Sequence, residues 1–271
     1  MPFQSPIDGC NIQLTLDLEY QSILEEELTR RRKETGAVSA TGIIMNPQTG
    51  EILAMSSTPG FDNNKYSKSL QETHRIRSIT DQFEPGSTFK IVTAVAALSD
   101  NKIDLVEEFN CENGEFEYHD IKVTDHEEYG MLTLSQIIQY SSNIGVVKVI
   151  ERVGRKTLYQ TSRSFGFGSL SGISLAGETV GKLKPIKKWS AVSNGQTAMG
   201  YEVGVSAIQL AVAYCAIANG GYLITPSIVR QIINHNQDIV YAEETSIIRK
   251  IADEKTMENI REMLRGVIVN G

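Results

Sequence analysis

A serine and a lysine stand three residues apart at the start of a strongly apolar segment, in Ser87-Thr88-Phe89-Lys90. Residues three apart on a helix lie on one face, so the hydroxyl and the amine can meet. A serine hydroxyl is a weak nucleophile until a neighbouring base takes its proton. An amine can be that base only if its pKa falls well below the usual value of about 10.4, which burial in an apolar helix favours. The pattern therefore predicts a nucleophile at Ser87 and its base at Lys90.

The same residues also have a purely structural interpretation. Ser87 is a good helix N-cap, and a serine followed three positions later by lysine occurs by chance in many chains. The residues that follow favour catalysis, because an unpaired buried charge is costly and is seldom kept without a role.

A second polar group, Tyr140-Ser141-Ser142-Asn143, precedes Gly145 at a predicted helix junction. Alone, it predicts only helix capping. Read with the first motif, it supplies what acyl transfer still needs: a hydroxyl at Ser141 that can relay a proton and an amide at Asn143 that can hold a substrate backbone.

Other reactive residue types give weaker signals. The four histidines are scattered and share no ligand spacing, and the three cysteines are far apart, so we expect neither a metal site nor a cofactor. The acidic stretch 125–128 reads as a solvated loop. Trp189 and Tyr201 could line a cleft or simply pack, and we leave both out of the predicted site.

The elements that must position these residues can be read from periodicity and turn residues. Apolar alternation predicts a strand over 12–16, and Asp17 then precedes a helical pattern. Two β-rich runs over 37–57, joined by Asn46-Pro47-Gln48-Thr49-Gly50, predict an antiparallel hairpin.

After Ser87 the sequence is apolar nearly all round, which predicts a fully buried helix. Its shell is predicted to be the helices Thr133–Tyr140, Gly145–Val153 and Ser206–Ala218, while 165–188 is rich in glycine and is expected to hold short strands or turns at most.

Composition narrows the functional class. The 271 residues carry 26 Lys and Arg against 33 Asp and Glu, a net charge of −7, which argues against a generic binder of nucleic acid or acidic membrane. The chain is 41% hydrophobic, as expected of a folded protein. No window reaches the roughly 18–20 uninterrupted apolar residues of a membrane span.

The motifs, taken in order, resemble the transpeptidase domain of class B (monofunctional) penicillin-binding proteins over nearly the whole chain. A set of seven matching stretches is far more specific than any one of them. They are Leu14-Thr15-Leu16-Asp17, the run 46–55, Phe83-Glu84-Pro85-Gly86-Ser87-Thr88-Phe89-Lys90, Ser141-Ser142-Asn143, Phe165-Gly166-Phe167-Gly168, Gly177-Glu178 and Ala218-Asn219-Gly220-Gly221. The resemblance implies an α+β fold, with an antiparallel sheet flanked by helices and an all-helical subdomain.

The resemblance also implies a reaction and partners. Ser87 would be acylated by the D-Ala-D-Ala end of a peptidoglycan stem peptide, and an amine of a second stem would then take the acyl group. Lys90 would deprotonate Ser87, Ser141 would pass the proton on, and Asn143 would contact both the substrate and Lys90. β-Lactams would acylate the same serine, and proteins of a cell-wall synthesis complex are possible partners.

One family feature does not match. The third motif, Lys-Thr/Ser-Gly, lies on a strand that follows a segment like Met263-Leu264-Arg265-Gly266-Val267-Ile268-Val269, close to the last residue of this sequence. We therefore expect residues 1–10 to be a junction to an N-terminal pedestal domain and 11–271 to be an incomplete transpeptidase domain without its last strands. Low stability and impaired transpeptidation are expected, since one lost oxyanion donor costs about 2.7–4 kcal/mol. The parent protein would be held at the outer face of the cytoplasmic membrane by an N-terminal helix.

Two alternatives remain open at this stage. One is a class D-like β-lactamase or a β-lactam sensor domain, in which Ser-Thr-Phe-Lys also occurs; the Ser-x-Asn motif and the class B-like flanking stretches argue against it. Separately, Glu178 suggests a base that activates water, as in a β-lactamase, but in the resembling family that position is a structural turn residue. The other alternative is a non-catalytic scaffold in a cell-wall synthesis complex. The intact set Ser87, Lys90, Ser141 and Asn143 argues against it for the parent protein, though not for the incomplete domain.

Overall fold

The hairpin predicted over 37–57 is present and is contacted by helices. A computed structural model describes residues 9–99 and 103–270, so the expected junction over 1–10 lies almost wholly outside the described residues. The described helices are, in chain order, α1 (Leu18–Thr35), α2 (Arg77–Thr80), α3 (Lys90–Ser99), α4 (Leu134–Gln139), α5 (Asn143–Val153), α6 (Arg155–Ser164), α7 (Ser193–Ala198), α8 (Ala207–Ala218) and α9 (Glu254–Asn270). The described strands are β1 (Asn11–Leu14), β2 (Ala40–Met45), β3 (Ile52–Thr58), β4 (Glu108–Asn110), β5 (Glu115–Tyr118), β6 (Ile121–Thr124), β7 (Met131–Thr133), β8 (Lys182–Leu183), β9 (Val203–Gly204), β10 (Tyr222–Ile224), β11 (Val229–Ile233), β12 (Ile239–Ala242) and β13 (Ile247–Lys250).

Strands β2 and β3 pair antiparallel, as the turn residues between them predicted. A second antiparallel sheet, ordered β1-β11-β12, adjoins this hairpin. Two hydrogen bonds to Ile52 join them. The Thr15 hydroxyl donates to the carbonyl of Ile52 at 2.6 Å, and the amide of Ile52 donates to the carbonyl of Ser227 at 2.8 Å. Sheet and hairpin therefore behave as one layer.

Side chains on opposite faces of the hairpin meet different helices, because successive residues of a strand point to opposite sides. At Gly42 an added Cβ would lie 2.8 Å from a methyl group of Leu24, so α1 packs closely on one face. On the other face Ile52 joins a buried cluster with Ile208 and Val212 of α8.

The two ends of α1 are capped, and its start is the one that the sequence predicted. The Asp17 side chain accepts hydrogen bonds from the amides of Glu19 and Tyr20, which confirms the predicted helix start. Gly36 ends the helix in the left-handed conformation, with φ of 68°.

The buried helix predicted after Ser87 is α3, in which every residue from Lys90 to Ala97 is buried. Its shell contains the predicted α4 and α5, and also α6 and α9, which the sequence patterns did not predict. Helix α8 lies between this core and the hairpin, since Ala213 and Ile217 contribute to the cluster around α3 while Ile208 contributes to the other.

The predicted fold class is confirmed, with one addition. The subdomain expected to be all-helical also carries two short antiparallel strand pairs, β4 with β7 and β5 with β6. The stretch 165–188 contains only the two-residue strand β8 and a single 3₁₀ turn, as predicted. Within residues 9–99 and 103–270, no helix combines the length and the apolar character that a bilayer span requires.

Helix α5 approaches α4 so closely that position 145 must lack a side chain. A Cβ on Gly145 would lie 2.5 Å from Cγ1 of the buried Ile137. Overpacking a core costs about 1–3 kcal/mol, while alanine gains about 1 kcal/mol over glycine inside a helix. We expect Gly145→Ala to lower the free energy of unfolding by about 1 kcal/mol, measured by urea denaturation. The matched control is Gly130→Ala, whose Cβ would meet nothing closer than 3.9 Å; equal midpoints for the two variants would contradict the predicted packing.

Candidate active site

Ser87 lies in a 3₁₀ turn, Gly86–Phe89, that leads directly into α3. The turn is closed by the amide of Lys90, which donates to the carbonyl of Ser87. Side chains three residues apart are eclipsed in a 3₁₀ turn, so Ser87 and Lys90 share a face. The Ser87 side chain is exposed, and among the described residues its hydroxyl has no hydrogen-bond partner. It is therefore free to meet an incoming group.

Lys90 is 98% buried at the head of the apolar helix, and its amine contacts the second polar motif. Nζ donates to the carbonyl oxygen of Ser141, to the Ser141 hydroxyl at 3.0 Å and to Oδ1 of Asn143 at 2.8 Å. The Asn143 side chain also donates through Nδ2 to the carbonyl of Thr124 at 2.9 Å. That second contact fixes which end of the amide faces Lys90.

Burial lowers the pKa of Lys90 to about 8, because the charged amine loses its hydration inside the protein. The negative charge of Asp125 acts in the opposite direction and raises this pKa. The balance leaves an amine whose neutral form is accessible near physiological pH, which is the condition for it to act as a base.

The three acceptors around Nζ differ in what they can do once the amine is neutral. A carbonyl oxygen and an amide oxygen only accept hydrogen bonds, whereas a hydroxyl both donates and accepts. The Ser141 hydroxyl is thus the one neighbour of the three that can return a proton to the Lys90 nitrogen or carry one away from it. This geometry fits the relay predicted for Ser141.

The turn that presents Ser141 is held in an unusual conformation. Ser141 has φ of 56°, a left-handed value that costs free energy in a non-glycine residue unless its surroundings impose it. Ser142 follows as the N-cap of α5 and is fully buried, with its hydroxyl accepting from the amide of Gly145 at 2.8 Å. The cap and the buried amine of Lys90 together fix the two sides of the turn.

The interpretation of Asp125 as part of a solvated loop was wrong. Its carboxylate is half-buried and accepts three hydrogen bonds: from the Ser142 hydroxyl at 2.6 Å, from the amide of Asn143 at 2.5 Å and from the amide of Ile144 at 3.1 Å. A carboxylate at a helix N-terminus also interacts favourably with the helix dipole. Residues 126–128 are exposed, as predicted. Asp125 is therefore a residue of the site that sequence reasoning missed.

Of the other residues considered in the sequence, Glu178 and Trp189 make structural contacts, and Tyr201 is exposed. Glu178 accepts a hydrogen bond from the amide of Ser171 at 2.6 Å, as a turn residue does. The Trp189 indole donates to the carbonyl of Lys184. In the described part of the chain, no group of three or more His, Cys, Asp or Glu side chains is arranged to hold a metal ion.

An exposed hydroxyl, a buried amine of lowered pKa, a second hydroxyl and an oriented amide form a set suited to acyl transfer through serine. The predicted residues Lys90, Ser141 and Asn143 are in direct contact, and Ser87 is placed on the same face of the turn as Lys90. Their catalytic roles stay predictions.

Known proteins that resemble this chain belong to a family of transpeptidase domains, and transpeptidation is an acyl transfer, the chemistry to which this geometry is suited. Residues 40–271 match the family described as the penicillin binding protein transpeptidase domain. The chain is 34% identical to stage V sporulation protein D of Bacillus subtilis over 99% of its length, and 31% identical to a probable peptidoglycan D,D-transpeptidase, PenA, of Neisseria meningitidis over 90%. Among solved structures, penicillin-binding protein 3 of Mycobacterium tuberculosis in complex with aztreonam superimposes with a TM-score of 0.89 at 26% identity, covering 99% of this chain and 60% of that one.

The chain spans 42% of the length of both curated relatives, so the comparison concerns one part of those longer proteins. In this chain, the residues matched by the family, 40–271, include all of those assembled around Lys90. The matched family and the identity to these relatives show that this chain belongs to the penicillin-binding protein transpeptidase family, in its class B branch.

Proposed function

We propose that this chain is the acyl-transfer part of a peptidoglycan D,D-transpeptidase, in which Ser87 forms an acyl-enzyme with the D-Ala-D-Ala end of a stem peptide. The observation that carries the proposal is the buried amine of Lys90, held between Ser141 and Asn143 and one turn of helix away from the exposed hydroxyl of Ser87. β-Lactams are proposed to acylate the same serine, since their strained amide resembles the dipeptide end.

In the first half of the reaction, the Ser87 proton passes to neutral Lys90 while Oγ bonds to the carbonyl carbon of the penultimate D-Ala. The tetrahedral intermediate then breaks its C–N bond. The leaving D-Ala amine receives a proton from Lys90 through the Ser141 hydroxyl, whose contact with Nζ at 3.0 Å supports that route. The products are an ester at Ser87 and free D-Ala, and Lys90 is neutral again.

In the second half, an amine of a neighbouring stem peptide attacks the ester carbonyl. Its proton returns by the same route, the C–O bond to Ser87 breaks, and the serine hydroxyl is restored. Asn143 is proposed to contact the substrate backbone while its Oδ1 stays on Lys90, an orientation supported by the bond from its Nδ2 to Thr124.

The surroundings of the whole protein belong to the same proposal. We place the reaction at the outer face of the cytoplasmic membrane, where peptidoglycan is built, and include proteins of a cell-wall synthesis complex among its partners. The division at residue 10 between a junction and the catalytic part also remains a prediction.

Labelling by a fluorescent penicillin tests the nucleophile. We expect the wild-type chain to bind one label covalently and Ser87→Ala to bind none, because alanine has no hydroxyl to form the ester. Ser22→Ala is the matched control, since Ser22 is an exposed serine on α1. Mass spectrometry of a digest should place the adduct on the peptide that contains Ser87. An adduct elsewhere, or equal labelling of Ser87→Ala, would contradict the proposal.

The fate of that adduct separates a transpeptidase from a β-lactamase. Glu178 is bound to the backbone amide of Ser171, which argues against its use in activating water. Slow release of the penicilloyl group is therefore expected. Rapid, repeated turnover of the drug would favour the β-lactamase alternative.

The rate of acylation should depend on pH through Lys90. The neutral amine is the active form, so the rate should fall about tenfold for each pH unit below a midpoint near 8 and level off above it. Stopped-flow labelling between pH 6 and 10 measures this profile, and Lys90→Arg, which cannot deprotonate in this range, should lack it. A rate that is constant from pH 6 to 9 in the wild-type chain would rule Lys90 out as the base.

Asp125 should set where that midpoint lies. Its charge raises the pKa of Lys90, so Asp125→Asn should move the titration of the Lys90 amine to lower pH. Nuclear magnetic resonance of labelled lysine side chains measures the shift directly, with no substrate present. Asp120→Asn removes an exposed charge from the turn between β5 and β6 and serves as control. A midpoint that stays constant or rises in Asp125→Asn would refute the assigned interaction.

A further inference from the structure

The backbone just before Ser87 is paired along its length with a second segment from a distant part of the sequence. We call residues 83–87 the nucleophile turn and residues 199–205 the strap. Phe83 and Val205 exchange two backbone hydrogen bonds, of 3.0 and 2.9 Å. The amide of Gly86 donates to the carbonyl of Gly200 at 3.1 Å. The strap thus runs beside the turn and ends its pairing one residue before the nucleophile.

The closest approach between the two segments is at Gly200. A Cβ at this position would lie 2.0 Å from the carbonyl oxygen of Gly86, 2.7 Å from its carbonyl carbon and 2.8 Å from its nitrogen. All three are backbone atoms of the residue that precedes Ser87, so no side chain can swing aside to make room. Gly200 also has φ of 89°, in the left-handed region.

The strap is itself anchored on both sides of Gly200. On one side, the buried Thr93 of α3 donates through its hydroxyl at 3.1 Å to the carbonyl of Ala198, the residue directly before the strap. On the other side, Glu202 has φ of 56°, and its carboxylate accepts from Lys184 at 2.9 Å and from Ser193 at 2.8 Å. Its amide donates to the Glu84 carboxylate of the nucleophile turn at 3.0 Å. A segment tied down at both ends transmits a displacement to whatever it touches in between.

We propose that Gly200 is a positioning residue for the nucleophile: the absence of a side chain there lets the anchored strap fix the backbone of Gly86 and, through it, the direction of the Ser87 hydroxyl. The proposal rests on the proposed function, since it concerns the serine that is acylated. A misplacement of about 1 Å in a reacting group can cost about 100-fold in rate, so the contact is close enough to matter.

Gly200→Ala tests this role, with Gly36→Ala as its matched control. Gly36 also has a left-handed φ, of 68°, but a Cβ there would meet nothing within 4 Å. Both variants carry the conformational cost of alanine at positive φ, and only the first pushes on the nucleophile turn. We expect Gly200→Ala to be acylated by fluorescent penicillin about 100-fold more slowly than wild type and Gly36→Ala to stay within about threefold of it.

The kinetics distinguish positioning from loss of folded protein. Misplacement of Ser87 lowers the first-order rate constant of acylation while the final labelled fraction stays complete. A purely structural role lowers the labelled fraction and leaves that rate constant unchanged in the molecules that do react. A rate constant for Gly200→Ala within threefold of Gly36→Ala would overturn the proposal.

A second variant keeps the test decisive if Gly200→Ala does not fold. Glu84→Ala removes the exposed acceptor of the Glu202 amide and leaves the glycine contact intact. The loss of one such bond should slow acylation about fivefold. Glu19→Ala, at an exposed position on α1, is its control. Equal rates for these two variants would count against the strap as a positioning element.

Hydrogen exchange of the Gly86 amide provides a readout that needs no substrate. This amide donates to Gly200, so in Gly200→Ala it should exchange at least tenfold faster while amides within α3 keep their protection. Unchanged exchange would also overturn the proposal. If the wild-type chain takes no label at Ser87 at all, the proposed function fails. Exchange of the Gly86 amide then tests separately whether the strap fixes the backbone of the nucleophile turn.

Discussion

The structure depends on burying one amine without leaving it unpaired. Lys90 begins a helix that is buried from Lys90 to Ala97, and a charged group in that position is costly unless it finds partners. Three oxygens from Ser141 and Asn143 supply those partners. The same burial lowers the pKa of the amine to about 8, so one arrangement both stabilises the lysine and prepares it to accept a proton.

The hydrophobic shell of α3 determines how the polar groups meet. Helices α4 and α5 pack against α3, and the turn between them carries Ser141 towards Lys90. The close contact of Gly145 with Ile137 sets the distance between α4 and α5 and therefore the shape of that turn. Apolar packing, rather than the polar contacts themselves, thus brings residues about fifty positions apart into hydrogen-bonding range.

The sequence predicted those parts of the site that depend on local chemistry. Three features could be predicted without tertiary structure: the spacing of Ser87 and Lys90, the apolar character of α3 and the capping pattern at Asp17. The role of Asp125 could not be predicted, because in the sequence it stands in a run of acidic residues. Its role arises only when the β5–β6 hairpin brings it to the start of α5. The role of Gly200 could not be predicted either, since a glycine needed for close contact and a glycine needed for a turn look the same in a sequence.

Asp125 has two opposing effects on the site. Its carboxylate holds the turn at Ser142 and Asn143 through three hydrogen bonds, yet its charge favours the protonated form of Lys90. With a pKa of about 8, roughly one tenth of the amine is neutral at pH 7. A lower pKa would make the base more available but weaker, and general bases work best when their pKa lies near the operating pH. The carboxylate that orders the turn therefore also keeps the amine basic enough to take a proton from serine.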